Sequence, residues 1–323
     1  MKPCPFYWPL PMKTILLTIL ASSMLMVTSA QPQASDVFVN VRGDRLHFHI
    51  VRGPGTPILF EAGGGDDSTV WAALEGPIHQ ITGATLITYD RAGFGRSELN
   101  VSHRAVSDHG IENGIEELEL ALNHLGYNGD IMLVAHSYGA LYATLYAARH
   151  PKLVKAAVLI DGSSACWFTK DWLKNFVRER QNENKPTGEN PGAFYQSENL
   201  PATIEILRRT NFPSSIPVID LVSENPPFAK TEDVDRWKDC HRQFVNAQLN
   251  RQGITAYGTG HYIYRDNLPL VIAAVVKAYV GIVDQQDAFA IMKRDLDYAI
   301  EAANKTGRPL NASRHQAEGA RRR

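Results

Sequence analysis

The runs PILFE, ATLITYD, DIMLVAH, AAVLID and IPVIDLV narrow the fold of this chain more than any other feature. Each is short, mostly apolar and carries Val, Ile or Leu, with amphipathic helical stretches between several of them. A strand with one wet face alternates apolar with polar residues; a run without that alternation is buried on both faces. Such strands alternating with helices predict a mostly parallel central sheet with helices on both faces, an α/β architecture. In IENGIEELELALNHLG, Ile115, Leu118, Leu122 and Leu125 share one helical face and Gly126 closes the helix. YGALYATLYAARHP is a second helix, stopped by Pro151, and LPLVIAAVVKAYV a late third. Before the first run, loose alternation from Val37 to Ile50 around Arg42-Gly43-Asp44 predicts a hairpin.

The pattern is interrupted once. Residues 162–215 carry charged helix-like turns such as KDWLKNFVRERQNEN, broken at Pro186, Gly188, Pro191 and Gly192. They read as a helical cap insertion between two core segments, 31–161 and 216–305. Its aromatic residues, Trp167, Phe168 and Trp172 among them, either line an apolar pocket under the insertion or pack it onto the sheet. Residues 306–323 are polar and Arg-rich and read as a flexible tail.

Lys2 and Lys13 precede an apolar run from Ile15 to Val27, followed by the small residues Thr28-Ser29-Ala30. This is the layout of a secretory signal over residues 1–30, and the run is short for a membrane span. An uncleaved anchor is the rival reading. The expected location is secreted or periplasmic, with no membrane span in the mature protein. Cys166 and Cys240 would remain after cleavage, as one disulfide or as two separate thiols. The net charge is −1, and basic residues gather only at the extreme C-terminus. Nucleic acid and anionic membranes are therefore poor partners, and a small-molecule substrate is expected.

The stretch LVAHSYGALY runs from strand to helix through Ser137. A serine at that corner needs a strained backbone to project its oxygen, and small residues two before and two after leave room for the turn. Ala135 and Gly139 meet that demand, although the common motif has glycine at the first position. The helix that follows aims its positive N-terminal end at the serine. A plain helix N-cap is the competing role. Elsewhere, PILFE runs into the glycine loop AGGG, ATLITYD into RAGFGRS, and a short strand in GITAYGT precedes Gly260-His261.

In this order, the glycine loop, Asp-Arg-x-Gly-x-Gly-x-Ser stretch, serine elbow and late Gly-His make the chain resemble the α/β-hydrolase superfamily. The resemblance covers nearly all of the mature sequence and implies the α/β-hydrolase fold with a cap. It implies Ser137 as nucleophile, His261 as general base, and the backbone N–H groups of Gly64 and Tyr138 as an oxyanion hole. Ala62 stands where relatives usually carry histidine, which leaves the backbone donor untouched. His136 points away from the serine and reads as packing, and Asp90-Arg91 as a structural turn.

The acid of the relay has several candidates. The common position after IPVIDLV is occupied by Pro226. Asp161 ends the AAVLI run, Glu224 stands at the tip of the later strand, and Asp220 lies inside that strand, too early to reach its tip. Some members of the superfamily carry the acid at the position of Asp161, and that residue is favoured, with Glu224 as the alternative. The expected activity is hydrolysis of an ester or lactone through an acyl-enzyme on Ser137, with no metal or cofactor. Amide, aminopeptidase-like and C–C bond hydrolysis on the same residues, or a catalytically silent binding protein, are the alternatives.

Overall fold

The computed structural model describes residues 34–100, 102, 105–180 and 191–306. The segment read as a signal, the middle of the predicted insertion and the tail beyond 306 lie outside the described residues. Along β5 (Ile131–His136) the side chains divide between two separate cores. Leu133 and Ala135 face one and Met132 and Val134 the other, and all four are fully buried. The next strand, β6 (Val154–Ile160), repeats the division, with Ala157 and Leu159 on one side and Val158 and Ile160 on the other. Because neither face of these strands meets water, their sequences show no polar phase.

Around this pair the sheet is built from β1 (Ala34–Val41), β2 (Asp44–Val51), β3 (Gly55–Glu61), β4 (Ala84–Tyr89), β7 (Val218–Ser223) and β8 (Arg251–Ala256). The eight strands lie in the order β1-β2-β4-β3-β5-β6-β7-β8. The pairings β1–β2 and β2–β4 are antiparallel and every later one is parallel. The hairpin expected from Val37 to Ile50 is β1–β2, turning at Arg42-Gly43, both with positive φ.

The helices are α1 (Ala72–Thr82), α2 (Ile111–His124), α3 (Gly139–Arg149), α4 (Lys170–Arg180), α5 (Pro191–Glu198), α6 (Leu200–Leu207), α7 (Thr231–Asn246), α8 (Ile263–Asp266), α9 (Leu268–Val280) and α10 (Gln285–Thr306). Buried residues of α1 and α9 belong to one core, and those of α2, α3 and α7 to the other. Helices α1, α7, α8 and α10 have no counterpart in the sequence reading. In α7 the cause is composition: TEDVDRWKDCHRQFVN is so polar that its buried stripe is reduced to Trp237, Cys240 and His241.

Helices α4, α5 and α6 fill the segment between β6 and β7. Of the two readings of its aromatic residues, packing describes Trp167. Its ring is 3% exposed, stacks on Phe228 with centroids 4.5 Å apart and meets Trp172 at 5.0 Å. Cys166 and Cys240 form a disulfide with Cα atoms 5.8 Å apart, tying the start of this segment to α7. Among the described residues no helix is long and apolar enough to cross a membrane.

Candidate active site

Ser137 sits between the last residue of β5 and the first turn of α3, with φ at 49°. Left-handed backbone is costly for a residue with a Cβ, so the surroundings must hold it. They do so from both sides: the Ser137 N–H donates to Ile160 O at 3.2 Å, and Ser137 O accepts from Ser163 N at 2.9 Å and Ala140 N at 3.0 Å. Gly139 is there for space. A Cβ on it would lie 2.4 Å from Glu61 O and 2.6 Å from Ala62 O, so the helix could not start this close to the end of β3. Ala135 lies in register with Glu61 on β3 and Leu159 on β6, fully buried.

His261 follows β8 and brings its ring back over the elbow. Its Nε2 is 2.8 Å from Ser137 Oγ, and its Nδ1 is 2.7 Å from Asp161 Oδ2. Asp161 stands just past the end of β6, wholly buried, with a second positive φ of 45°. Three further donors converge on its carboxylate: Ser223 N and Trp237 Nε1 reach Oδ1, each at 2.9 Å, and Ser223 Oγ reaches Oδ2 at 2.9 Å. Burial alone would raise the pKa of this carboxyl. The hydrogen bonds from His261, Ser223 and Trp237 outweigh it and hold the group below the usual carboxylate range. An ionised, acceptor-only Asp161 accepts a hydrogen bond from Nδ1–H, which leaves Nε2 free to accept from the serine hydroxyl.

The other acid candidates lie elsewhere. Glu224 turns to the loop after β8 and accepts from Gly258 N at 2.7 Å. Asp220 is buried within β7, with Oδ2 2.7 Å from His241 Nδ1. The two residues named as oxyanion donors are neighbours in space, since a Cβ built on Gly64 would stand 3.3 Å from Tyr138 Cβ. His136, the last residue of β5, is buried. It also does more than pack: its Nε2 bonds His261 O at 3.1 Å, and its ring lies 4.7 Å from the His261 ring. Burial, followed by the charge of His261, depresses its pKa to about 3. His136 is therefore a neutral imidazole donating Nε2–H to the backbone that carries His261.

Trp237, Ser223 and His136 were not assigned to this site by sequence reasoning. Ser223 ends a strand beside the one that delivers Asp161, a signal that strand order could have supplied. Trp237 lies 76 residues from Asp161 and has no local signature. Among the described residues no group of three or more His, Cys, Asp and Glu is arranged to hold a metal ion.

A sequence model of the α/β-hydrolase fold matches residues 56–195, which span the glycine loop, the elbow and the start of the segment above the sheet. The eight-stranded, mostly parallel sheet with helices on both faces is that fold. This is an α/β-hydrolase-fold protein. A crystal structure of the same fold, described as a carboxylesterase of Nitrososphaera gargenis, superposes with a TM-score of 0.55 at 16% identity, over 75% of this chain and 99% of that one. By sequence, this chain is 24% identical over 238 residues to the uncharacterised protein YqjL of Bacillus subtilis, covering 72% of this chain and 86% of the relative. It is 29% identical over 103 residues to a proline iminopeptidase of Saccharolobus solfataricus, about a third (32%) of each chain.

Proposed function

We propose that the protein is a secreted serine hydrolase that cleaves a carboxylic ester or lactone through an acyl-enzyme on Ser137. The observation that carries this reading is the continuous relay from Ser137 Oγ through both nitrogens of His261 to Asp161, at 2.8 and 2.7 Å. In the proposed cycle, Oγ attacks the carbonyl carbon as its proton passes to His261 Nε2. The negative charge formed on the carbonyl oxygen is taken up by the Gly64 and Tyr138 N–H groups. His261 then gives its proton to the departing alkoxide, leaving the acyl group on Ser137. Water, deprotonated by the same nitrogen, frees the acid and restores the serine. Secretion is supported by the signal-like N-terminal sequence and by the Cys166–Cys240 pairing, a bond that persists in oxidising compartments.

A fluorophosphonate probe together with a panel of esters and lactones tests the reading. Wild-type protein should label at Ser137 and turn over at least one of the panel. A folded wild type that neither labels nor hydrolyses any of them would sink it. Partial similarity to a proline iminopeptidase favours one second reading, an amide substrate on the same residues. Turnover of aminoacyl arylamides with no ester or lactone activity would select it.

A further inference from the structure

Behind the glycine loop lies a buried cation. Arg91 follows β4 and is 7% exposed. Its Nη1 donates to Ala62 O at 2.9 Å and its Nη2 to Gly63 O at 2.5 Å. The guanidinium carbon stands 5.1 Å from the centre of the Tyr142 ring, 5.2 Å from Phe94 and 5.8 Å from Tyr138. The Glu61 carboxylate is 3.6 Å away, beyond hydrogen-bond distance, and is itself bonded by Tyr89 Oη at 2.9 Å, while Asp66 feels the guanidinium only through its charge. Burying a guanidinium costs several kcal/mol unless something compensates. Here the terminal nitrogens spend their hydrogen bonds on consecutive carbonyls of one loop.

Those carbonyls belong to the peptides that set the direction of the loop's N–H groups. In a planar trans peptide the C=O and the following N–H point to opposite sides, and none of the described peptides is cis. Pinning Gly63 O toward Arg91 therefore turns the Gly64 N–H away from it. A cation on the carbonyl oxygen also draws electron density from the peptide and makes that N–H a stronger donor. The same guanidinium lies against the ring of Tyr138, whose backbone N–H is the other donor of the proposed oxyanion site. We propose that Arg91 is the positioning residue of the oxyanion site, aiming and polarising the Gly64 N–H through the Gly63 carbonyl. The inference rests on the serine-hydrolase reading above and deepens it.

The test compares wild type with Arg91→Met, which keeps the length but not the charge, and Arg91→Lys, whose single ammonium cannot reproduce the two-pronged hold. Loss of a whole oxyanion donor costs about 10²–10³ in kcat, so a misaimed one should cost about 10–100-fold in Arg91→Met with KM within about threefold. Affinity for a tetrahedral-adduct inhibitor, an aryl boronic acid or a trifluoromethyl ketone, should fall in parallel with kcat/KM, and Arg91→Lys should be intermediate. A purely structural role would lower the melting temperature without separating kcat from KM. The proposal is overturned if folded Arg91→Met keeps wild-type kcat, or keeps wild-type affinity for the adduct inhibitor. Should Arg91→Met fail to fold, Arg91→Lys decides: wild-type kcat there overturns the proposal, and a reduced kcat at unchanged KM upholds it. Absence of turnover and labelling in wild type itself would instead defeat the hydrolase reading, and the proposal with it.

Discussion

Two histidine–carboxylate pairs stand side by side in this protein with the same 2.7 Å bond from Nδ1 to a carboxylate oxygen: His261–Asp161 and His241–Asp220. They even share a neighbour, because Trp237 donates to Asp161 and lays its ring against His241 at 5.2 Å. Yet His261 Nε2 meets a serine, whereas His241 Nε2 is buried with no hydrogen-bond partner among the described residues. Asp220 lies within β7 and its histidine on a helix packed over the sheet; Asp161 lies just past the end of β6. The bond between histidine and carboxylate is thus a general way to settle a buried charge. What makes one pair a candidate for chemistry is its position at the carboxyl ends of the parallel strands, where a strained turn can deliver a third group.

The comparison can be broken most directly by removing the third group. His261→Ala should lower ester or lactone turnover by about 10⁴-fold or more, as Ser137→Ala should, and the double variant should lose little further because the two act as a unit. Near-additive losses in kcat/KM would separate them. Next comes the acid: Asp161→Asn should cost about 10³–10⁴ in kcat, while Glu224→Gln stays within about twofold. A collapse confined to the Glu224 variant would reassign the relay.

The buried pair should behave in the opposite manner. Asp220→Asn should leave kcat nearly unchanged but lower unfolding stability by about 1–3 kcal/mol, read from urea midpoints, since it removes the charged acceptor that a buried imidazole depends on. Burial alone would lower the pKa of His241, but the charge and hydrogen bond of Asp220 outweigh it and raise it. A raised pKa means that the pair's contribution is fully present below the unfolded histidine value. It is lost as pH rises through the higher folded value. The stability gap between wild type and Asp220→Asn should therefore narrow with rising pH; a gap that widens would contradict the assignment. The smallest effect is expected for Trp237→Phe, which removes one donor from Asp161 and should cut kcat about 3–10-fold. Its acid limb of kcat/KM should shift to higher pH, because a carboxylate that loses a donor becomes easier to protonate.

Much of the frame could be read from local order. Buried strands lack a polar phase whatever surrounds them, so PILFE, DIMLVAH and AAVLID identify themselves and with them the parallel sheet. The demand for small residues around Ser137 is likewise local: Gly139 has no room for a Cβ beside Glu61 O. Helix α7 was not legible, because so polar a stretch shows its buried face only once Trp237, Cys240 and His241 are seen against the sheet.

The choice between Asp161 and Glu224 could not be made from local order, since both stand just beyond the ends of neighbouring strands. Which carboxylate meets His261 depends on strand register and on the path of the chain after β8, a contact across 100 residues. The same holds for Arg91. Its sequence neighbourhood reads as a turn, and only the approach of β3 to β4 puts its guanidinium on the carbonyls of the glycine loop. Backbone geometry and burial act over a few residues and are written in order along the chain. Charge and hydrogen bonding act through space, and their partners are assigned only when the sheet closes the distances.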